Sequence, residues 1–398
     1  MLGAIYTGLS GLQAFSKGLQ TISNNVANLN TLGFKATTTN FSDVFTYGGG
    51  GLTFFGNEND IKVGSGVRFS DAHVDFGQGD LQQTNGDLDL ALQGSGFLVL
   101  INNGKTYYSR TGQFVVDKEG YISLQNNKDY RLAVLDSSGR AVAINLDARR
   151  TSAPVATTTI KFADNLSSSA TTSAISDIAI YDSLGGKQTW QLKFDKDTAA
   201  GLNQWKVTAT DQNGAVVGTS VLKFIGSAVD PSTAKLTISS QPAGANPLSV
   251  VLDFSSGVTS FSAGSTSTLR SASVDGNAVG SISTVTVNSE GKITLSYSNS
   301  KTDALEAVAI ADFRDPQQLR RLSGGLFQND GNGPVRMVAS GVEGVGRLLS
   351  KQLEASNTDL SKQFGQLILI QRGFQASSQV VSTSNDMIQQ LFGIRGQG

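Results

Sequence analysis

Few residues in this chain could do covalent or metal chemistry, and their spacing is wrong for it. The one histidine, His73, lies in Ser70-Asp71-Ala72-His73-Val74-Asp75, an alternating run that reads as a strand. A zinc centre needs three or four nitrogen, sulfur or carboxylate ligands, and none cluster here. The 398 residues include no cysteine, which excludes disulfides, thiolate metal sites and cysteine nucleophiles. Asp87 and Asp89 suggest an acid–base pair, but they alternate with Leu88, Leu90 and Leu92 and read as the solvated face of a strand. The stretch Gly341 to Gly346 is glycine-rich, yet its order is wrong for a dinucleotide fingerprint and no lysine follows to hold phosphate. Asn329-Asp330-Gly331-Asn332-Gly333 has part of a calcium loop's composition without its spaced ligands or closing glutamate. Each of these reads as a strand or a turn. The expectation is a protein that is not an enzyme, with no cofactor and no metal.

Composition narrows the partners. The 31 basic and 32 acidic residues nearly cancel, with no basic block, so binding to nucleic acid through counterion release is unsupported. Only 16% of residues are charged, while glycine is abundant at 45, a balance suited to short strands, tight turns and a surface that packs against copies of itself. Met1 to Phe15 lacks the basic and apolar blocks of a secretory signal. No run reaches the roughly 18 apolar residues of a membrane span, so no membrane insertion is expected.

The elements that would position any site follow from periodicity. Ile5, Leu12, Leu19 and Val26 repeat every seven residues within a helix predicted over 2–29. Leu353, Leu360, Leu367, Phe374, Val381 and Ile388 do the same within a helix predicted over about 348–392. Such a repeat keeps one apolar face toward a partner helix. The second heptad position carries Ser356, Gln363, Ile370, Ser377, Ser384 and Leu391, poor for a two-stranded coiled coil but suited to close approach in a crowd of helices. Residues 31–68 read as a connector arm, with hinge glycines Gly48, Gly49, Gly50 and Gly51 flanked by Phe41, Phe45, Tyr47, Phe54 and Phe55. It serves either as a flexible hinge or as a docked arm.

The middle of the chain has the period of strands. Phe97, Val99 and Ile101 run into Asn102-Asn103-Gly104, and Phe114 and Val116 into Asp117-Lys118-Glu119-Gly120, which is hairpin chemistry. Ser/Thr-rich stretches at 151–175 and 255–275 suggest that 151–275 is a β domain inserted into another made of 69–150 and 276–347. The fold class is therefore α+β: a discontinuous multidomain chain in which helices from 1–30 and 348–398 pair in a coiled-coil-like layer. Two mainly antiparallel β domains lie between them.

The flanks of these helices carry a resemblance. Ser23-Asn24-Asn25-Val26-Ala27-Asn28 with Thr31-Leu32-Gly33-Phe34-Lys35 resembles the N-terminal signature of the bacterial flagellar rod and hook family. Leu353 to Ser361 and Gln371 to Gln375 resemble its C-terminal signature. Gln93 to Phe97 and Tyr108 to Phe114 resemble internal family motifs, and length, the inserted domain and the segments Ala179 to Gly185, Val287 to Gly291 and Tyr297 to Asn299 point to the hook branch. The resemblance implies an extracellular structural subunit that polymerises with itself into a curved tube, a universal joint passing torque from the motor rod to the filament. It implies export by the flagellar type III apparatus without a cleaved signal. The other partners it implies are a distal rod protein, a hook cap protein and a hook–filament junction protein. The terminal stripes become self-assembly seams, and Asn24, Asn25, Asn28, Gly33, Phe34 and Lys35 the motif that locks the first helix to the outer layers. The alternative is a distal rod subunit of the basal body, forming a straight drive shaft.

Overall fold

The computed structural model describes residues 2–45, 64–70, 73–199, 201, 203–331, 334–342 and 344–395. They are mostly β-structure, with one helix near each terminus: α1, Leu2–Ala27, and α2, Leu360–Arg395. The chain divides into two compact units, one of Met1–Asp147, Val285–Thr294 and Ala304–Gly398, the other of Ala148–Thr284 and Leu295–Asp303.

In the first unit α1 and α2 run antiparallel. Small residues set their separation. A Cβ added at Gly11 would lie 2.5 Å from Ser377 Oγ, one at Gly18 would lie 2.8 Å from Ile370 Cδ1, and one at Gly373 would lie 2.5 Å from the Phe15 ring. The buried seam is therefore Gly8, Gly11, Ala14, Gly18, Ile22 and Asn25 against Gln363, Ile370 and Ser384. This places most of the second heptad position at the contact between the two helices, joined by first-position Val381, half-buried, which packs on Gly8. Ile5, Leu12, Leu19, Val26, Leu367 and Ile388 flank it half-buried, while Leu360 and Phe374 are exposed.

The helix expected from 348 begins only at Leu360. Arg347–Ser350 and Gln352–Glu354 are strands, so Leu353 belongs to a sheet and pairs with Gln82. The chain stops being extended where Asp359 caps α2: Lys362 N donates to its Oδ1 at 3.1 Å. The heptad count runs through this boundary by coincidence of spacing. At 36 residues α2 is about 54 Å long.

The β-structure of this unit centres on the hairpin Phe97–Asn102 with Lys105–Ser109, closed by Asn103 and Gly104. Both turn residues have positive φ, 48° and 74°, as a type I′ turn requires. Strand Asp89–Gln93 pairs with Thr111–Val116 on one side and Arg347–Ser350 on the other. Leu90, Ala91 and Leu92 are all fully buried, and Asp89 is only 8% exposed. Its reading as part of a solvated face is thus corrected: the strand is covered on both faces, as in a sheet interior. Phe76, Phe97, Phe313 and Phe327 meet in tilted and edge-on pairs at 5.4–5.7 Å. The described flanks of the connector dock on α1: Phe41–Phe45 pairs with Gly64–Phe69, Val67 N donates to Ser10 Oγ, and Phe41 packs on Phe15. Gly48 to Gly51 lie outside the described residues.

The second unit has its own core. Trp190, Trp205, Phe162, Phe194 and Phe254 are buried in it, with Phe162 stacked on Phe254 at 4.5 Å. Its sheet is mainly antiparallel, but Thr159–Asn165 runs parallel to Leu248–Asp253 and antiparallel to Arg270–Val274. The unit extends past the boundaries expected at 151 and 275. Val155 and Asn277 exchange backbone hydrogen bonds, Thr151–Ser152 pairs with Gly280–Ser281, and the Tyr297 hydroxyl donates to Arg149 O at 2.9 Å. The Ser/Thr-rich stretch before 275 is thus inside the sheet, not at its border.

Candidate functional site

After α1 the chain turns through residues 28–33, where Gly33 adopts φ 65° and donates its N–H to Glu354 O. A Cβ at Gly33 would stand 2.9 Å from Thr111 Cγ2, so both conformation and space call for glycine here. This turn drives Phe34 and Lys35 inward. Lys35 is fully buried, its ammonium 2.5 Å from Glu354 Oε1 and 2.7 Å from Gly77 O.

The carboxylate of Glu354, also fully buried, collects two further donors, and its backbone N–H gives one bond in return. Its Oε1 accepts from Gly79 N at 2.8 Å, its Oε2 from Arg110 Nε at 3.3 Å, and its own N–H donates to Thr111 Oγ1. The Arg110 guanidinium spends its remaining donors on the carbonyls of Leu92, Gly94 and Gly96. The cluster holds two cations and one carboxylate, and backbone carbonyl dipoles compensate the excess positive charge. Burial lowers the pKa of both Lys35 and Arg110, opposed in each case by the negative charge of Glu354.

Two amide side chains extend the junction. Asn25 of α1 pairs with the backbone of Thr37, accepting from its N–H at 2.9 Å and donating to its carbonyl at 2.8 Å, and also donates to Gln363 Oε1 of α2 at 3.1 Å. Asn357 accepts from Ala36 N at 2.7 Å and donates to the carbonyls of Asp75 and Gly77. Each amide mimics a strand partner, extending the hold on the chain leaving α1 beyond its two-residue ladder of Thr37–Thr38 with His73–Val74. On the outer side the Arg321 guanidinium stacks on the Phe34 ring, 3.8 Å from its centroid, and donates to Lys35 O.

Of the motif residues singled out from sequence, Asn25, Gly33, Phe34 and Lys35 meet in this junction. Asn24 and Asn28 lie at its rim, where Asn28 donates to Asn24 O and Oδ1. Sequence reasoning did not single out Glu354, Arg110, Asn357 or Arg321. For Glu354, Arg110 and Asn357 the available signal was a charged or amide residue within a quoted signature stretch, costly to bury unless paired, while Arg321 lies outside those stretches. His73 is exposed on a two-residue strand beside Thr37–Thr38. Among the described residues no group of three or more His, Asp or Glu could hold a metal ion, and no helix is long and apolar enough to cross a membrane.

Three family profiles match the chain: flagella basal body rod protein over residues 5–35, flagellar basal body rod FlgEFG protein C-terminal over 349–394, and flagellar basal body protein FlaE D2 domain over 145–306. The first and second each contribute residues to the charged junction, and the third spans most of the second unit. The chain is 27% identical to the flagellar hook protein FlgE of Treponema pallidum, over 99% of this chain and all of that protein. It is 29% identical to that of Brucella suis and 28% to that of Rhizobium meliloti, over 99% of each chain in both cases. A crystal structure of Helicobacter pylori flagellar hook protein FlgE2 aligns with a TM-score of 0.48 at 15% identity, covering 69% of this chain and 100% of that one. The three profiles are those of flagellar rod and hook axial proteins, and along its whole length the chain is similar to flagellar hook proteins.

Proposed function

We propose that this chain is the structural subunit of a bacterial flagellar hook, polymerising with copies of itself into a curved tube that passes torque from the motor rod to the filament. The observation that carries the assembly is the unpaired apolar surface of the terminal helices. Tyr6, Leu9, Phe364, Ile368, Leu369 and Phe392 are each more than half exposed, although α1 and α2 already pack on one another. An apolar surface of this extent marks an association face. Head-to-tail contacts that do not close produce a helical tube. The stripes flanking the α1–α2 seam then serve as contacts between subunits.

Under this reading the helices form the inner layer and the β-units the outer ones. Further contacts run to a distal rod protein, a hook cap protein and a hook–filament junction protein, and the chain is exported by the flagellar type III apparatus without a cleaved signal. Its role is mechanical, not enzymatic. Assembly tests this reading. Purified full-length protein at rising concentration and sulfate should form tubes by negative stain, and Leu369→Lys with Phe364→Lys should leave a folded monomer. Tubes from that double variant at the wild-type concentration would refute the role of this face.

A further inference from the structure

An open pocket of about 540 Å³ lies in the first unit beside the charged junction, with Asn24, Asn28, Thr31 and Phe34 on one wall and Arg321 to Gly325 on the other. We propose that this pocket receives a carboxylate side chain from a second copy of this chain, with the Arg321 guanidinium as its counter-charge. This rests on the hook-subunit reading above.

Donors outnumber acceptors around this pocket. Arg320 and Arg321 are neighbours on one strand, Leu319–Arg321. Arg320 is exposed and answered by Asp330 and Gln328. Arg321 is half-buried, and the one hydrogen bond of its guanidinium among the described residues is to Lys35 O. Stacking on Phe34 holds the guanidinium plane fixed. No residue lining the pocket is acidic. Its amide acceptors are already engaged, Asn24 Oδ1 by Asn28 Nδ2 and Asn28 Oδ1 by the Thr31 hydroxyl. What remains toward the pocket is an excess of donors around a fixed, partly desolvated cation. A planar guanidinium in that setting pairs best with a carboxylate in a bidentate fork. Burial also lowers the Arg321 pKa with no carboxylate opposing it. A chain that polymerises supplies its own carboxylates at high local concentration, so a second copy is the occupant.

The test uses full-length protein carrying Arg321→Gln or Arg321→Lys, with monomer melting temperature and critical concentration for assembly measured on each. Arg321→Gln should raise the critical concentration at least about tenfold, the scale of losing one partner of a desolvated charge pair, while the monomer stays folded. Polymers of Arg321→Lys treated with a carbodiimide should yield, by mass spectrometry, an amide between the introduced lysine and an aspartate or glutamate of another copy. Assembly of Arg321→Gln at the wild-type concentration would overturn the proposal and leave the hook reading intact. So would a lysine that couples only within its own chain or to no carboxylate. If the wild-type protein forms no polymer under any condition, the hook reading fails and this proposal falls with it.

Discussion

Charge bookkeeping at single residues decides what the junction tolerates. Glu354 is the carboxylate that ion-pairs with both Lys35 and Arg110, so its loss leaves two buried cations without an ion-pair partner, whereas loss of Lys35 leaves a neutral Arg110–Glu354 pair. Glu354→Gln should therefore destabilise the first unit by about 3–5 kcal/mol. Lys35→Met should cost only about 1–3 kcal/mol, chiefly for the hydrogen bonds lost at Gly77 O and Glu354. Urea unfolding of the two variants checks the order, and a Lys35→Met variant less stable than Glu354→Gln would contradict it. The sequence showed these residues only as parts of recognised stretches. Lys35 is separated from Glu354 by more than three hundred positions, and nothing in local periodicity reports such a pairing. That Asn24, Asn25, Asn28, Gly33, Phe34 and Lys35 belong together was implied by the family resemblance, not by periodicity.

Among the elements, the helical pair shows where periodicity succeeds and where it misleads. That both ends are helical and pair was read from the heptads, but not the direction of the pairing, and the contact lies largely on glycine and serine positions, because small residues let the backbones approach. Large apolar residues at a repeat say that a face will be covered, not by what. The early start given to the second helix has a related cause: Leu353 keeps the heptad count while Ser356, Asn357, Thr358 and Asp359 supply the cap that ends the extended run. Gly373→Val should force the Phe15 ring away and cost about 1–3 kcal/mol as overpacking. Thermal unfolding followed by helical circular dichroism would show it, and an unchanged midpoint would count against the close seam. In the second unit, Asp275 anchors the start of strand Thr159–Asn165 by accepting from Thr158 N, Thr158 Oγ1 and Thr159 N. Desolvation pushes its pKa up, but these hydrogen bonds outweigh it and hold the group below the ordinary 3.8. A depressed carboxylate stabilises above its unfolded value and loses that contribution as pH falls through its folded one. Asp275→Asn should thus weaken the second unit by about 1 kcal/mol at neutral pH. The variant should also lose less than wild type between pH 5 and strongly acid solution. Equal acid sensitivity of the two proteins would remove Asp275 from the account.

For the whole molecule, one chain ties both of its ends into a single junction and leaves the apolar faces of its terminal helices for other copies. Ser/Thr-rich composition suggested an inserted unit over 151–275, whereas the second compact unit comprises Ala148–Thr284 and Leu295–Asp303. Its true limits were not legible, because the strand residues at 277–281 and 297 pair back to 149–155 across more than a hundred positions. Deleting Gly48 to Gly51 should stiffen or straighten the polymer if the connector works as a hinge, and unchanged bending in electron micrographs would remove that role. The central claim is that the chain builds a bending joint and not a rigid shaft. Negative-stain imaging of polymers assembled from the full-length wild-type protein, with curvature measured along individual tubes, tests it most directly. Tubes with a persistent curve are predicted; uniformly straight tubes, or a protein that stays monomeric under every assembly condition, would contradict it.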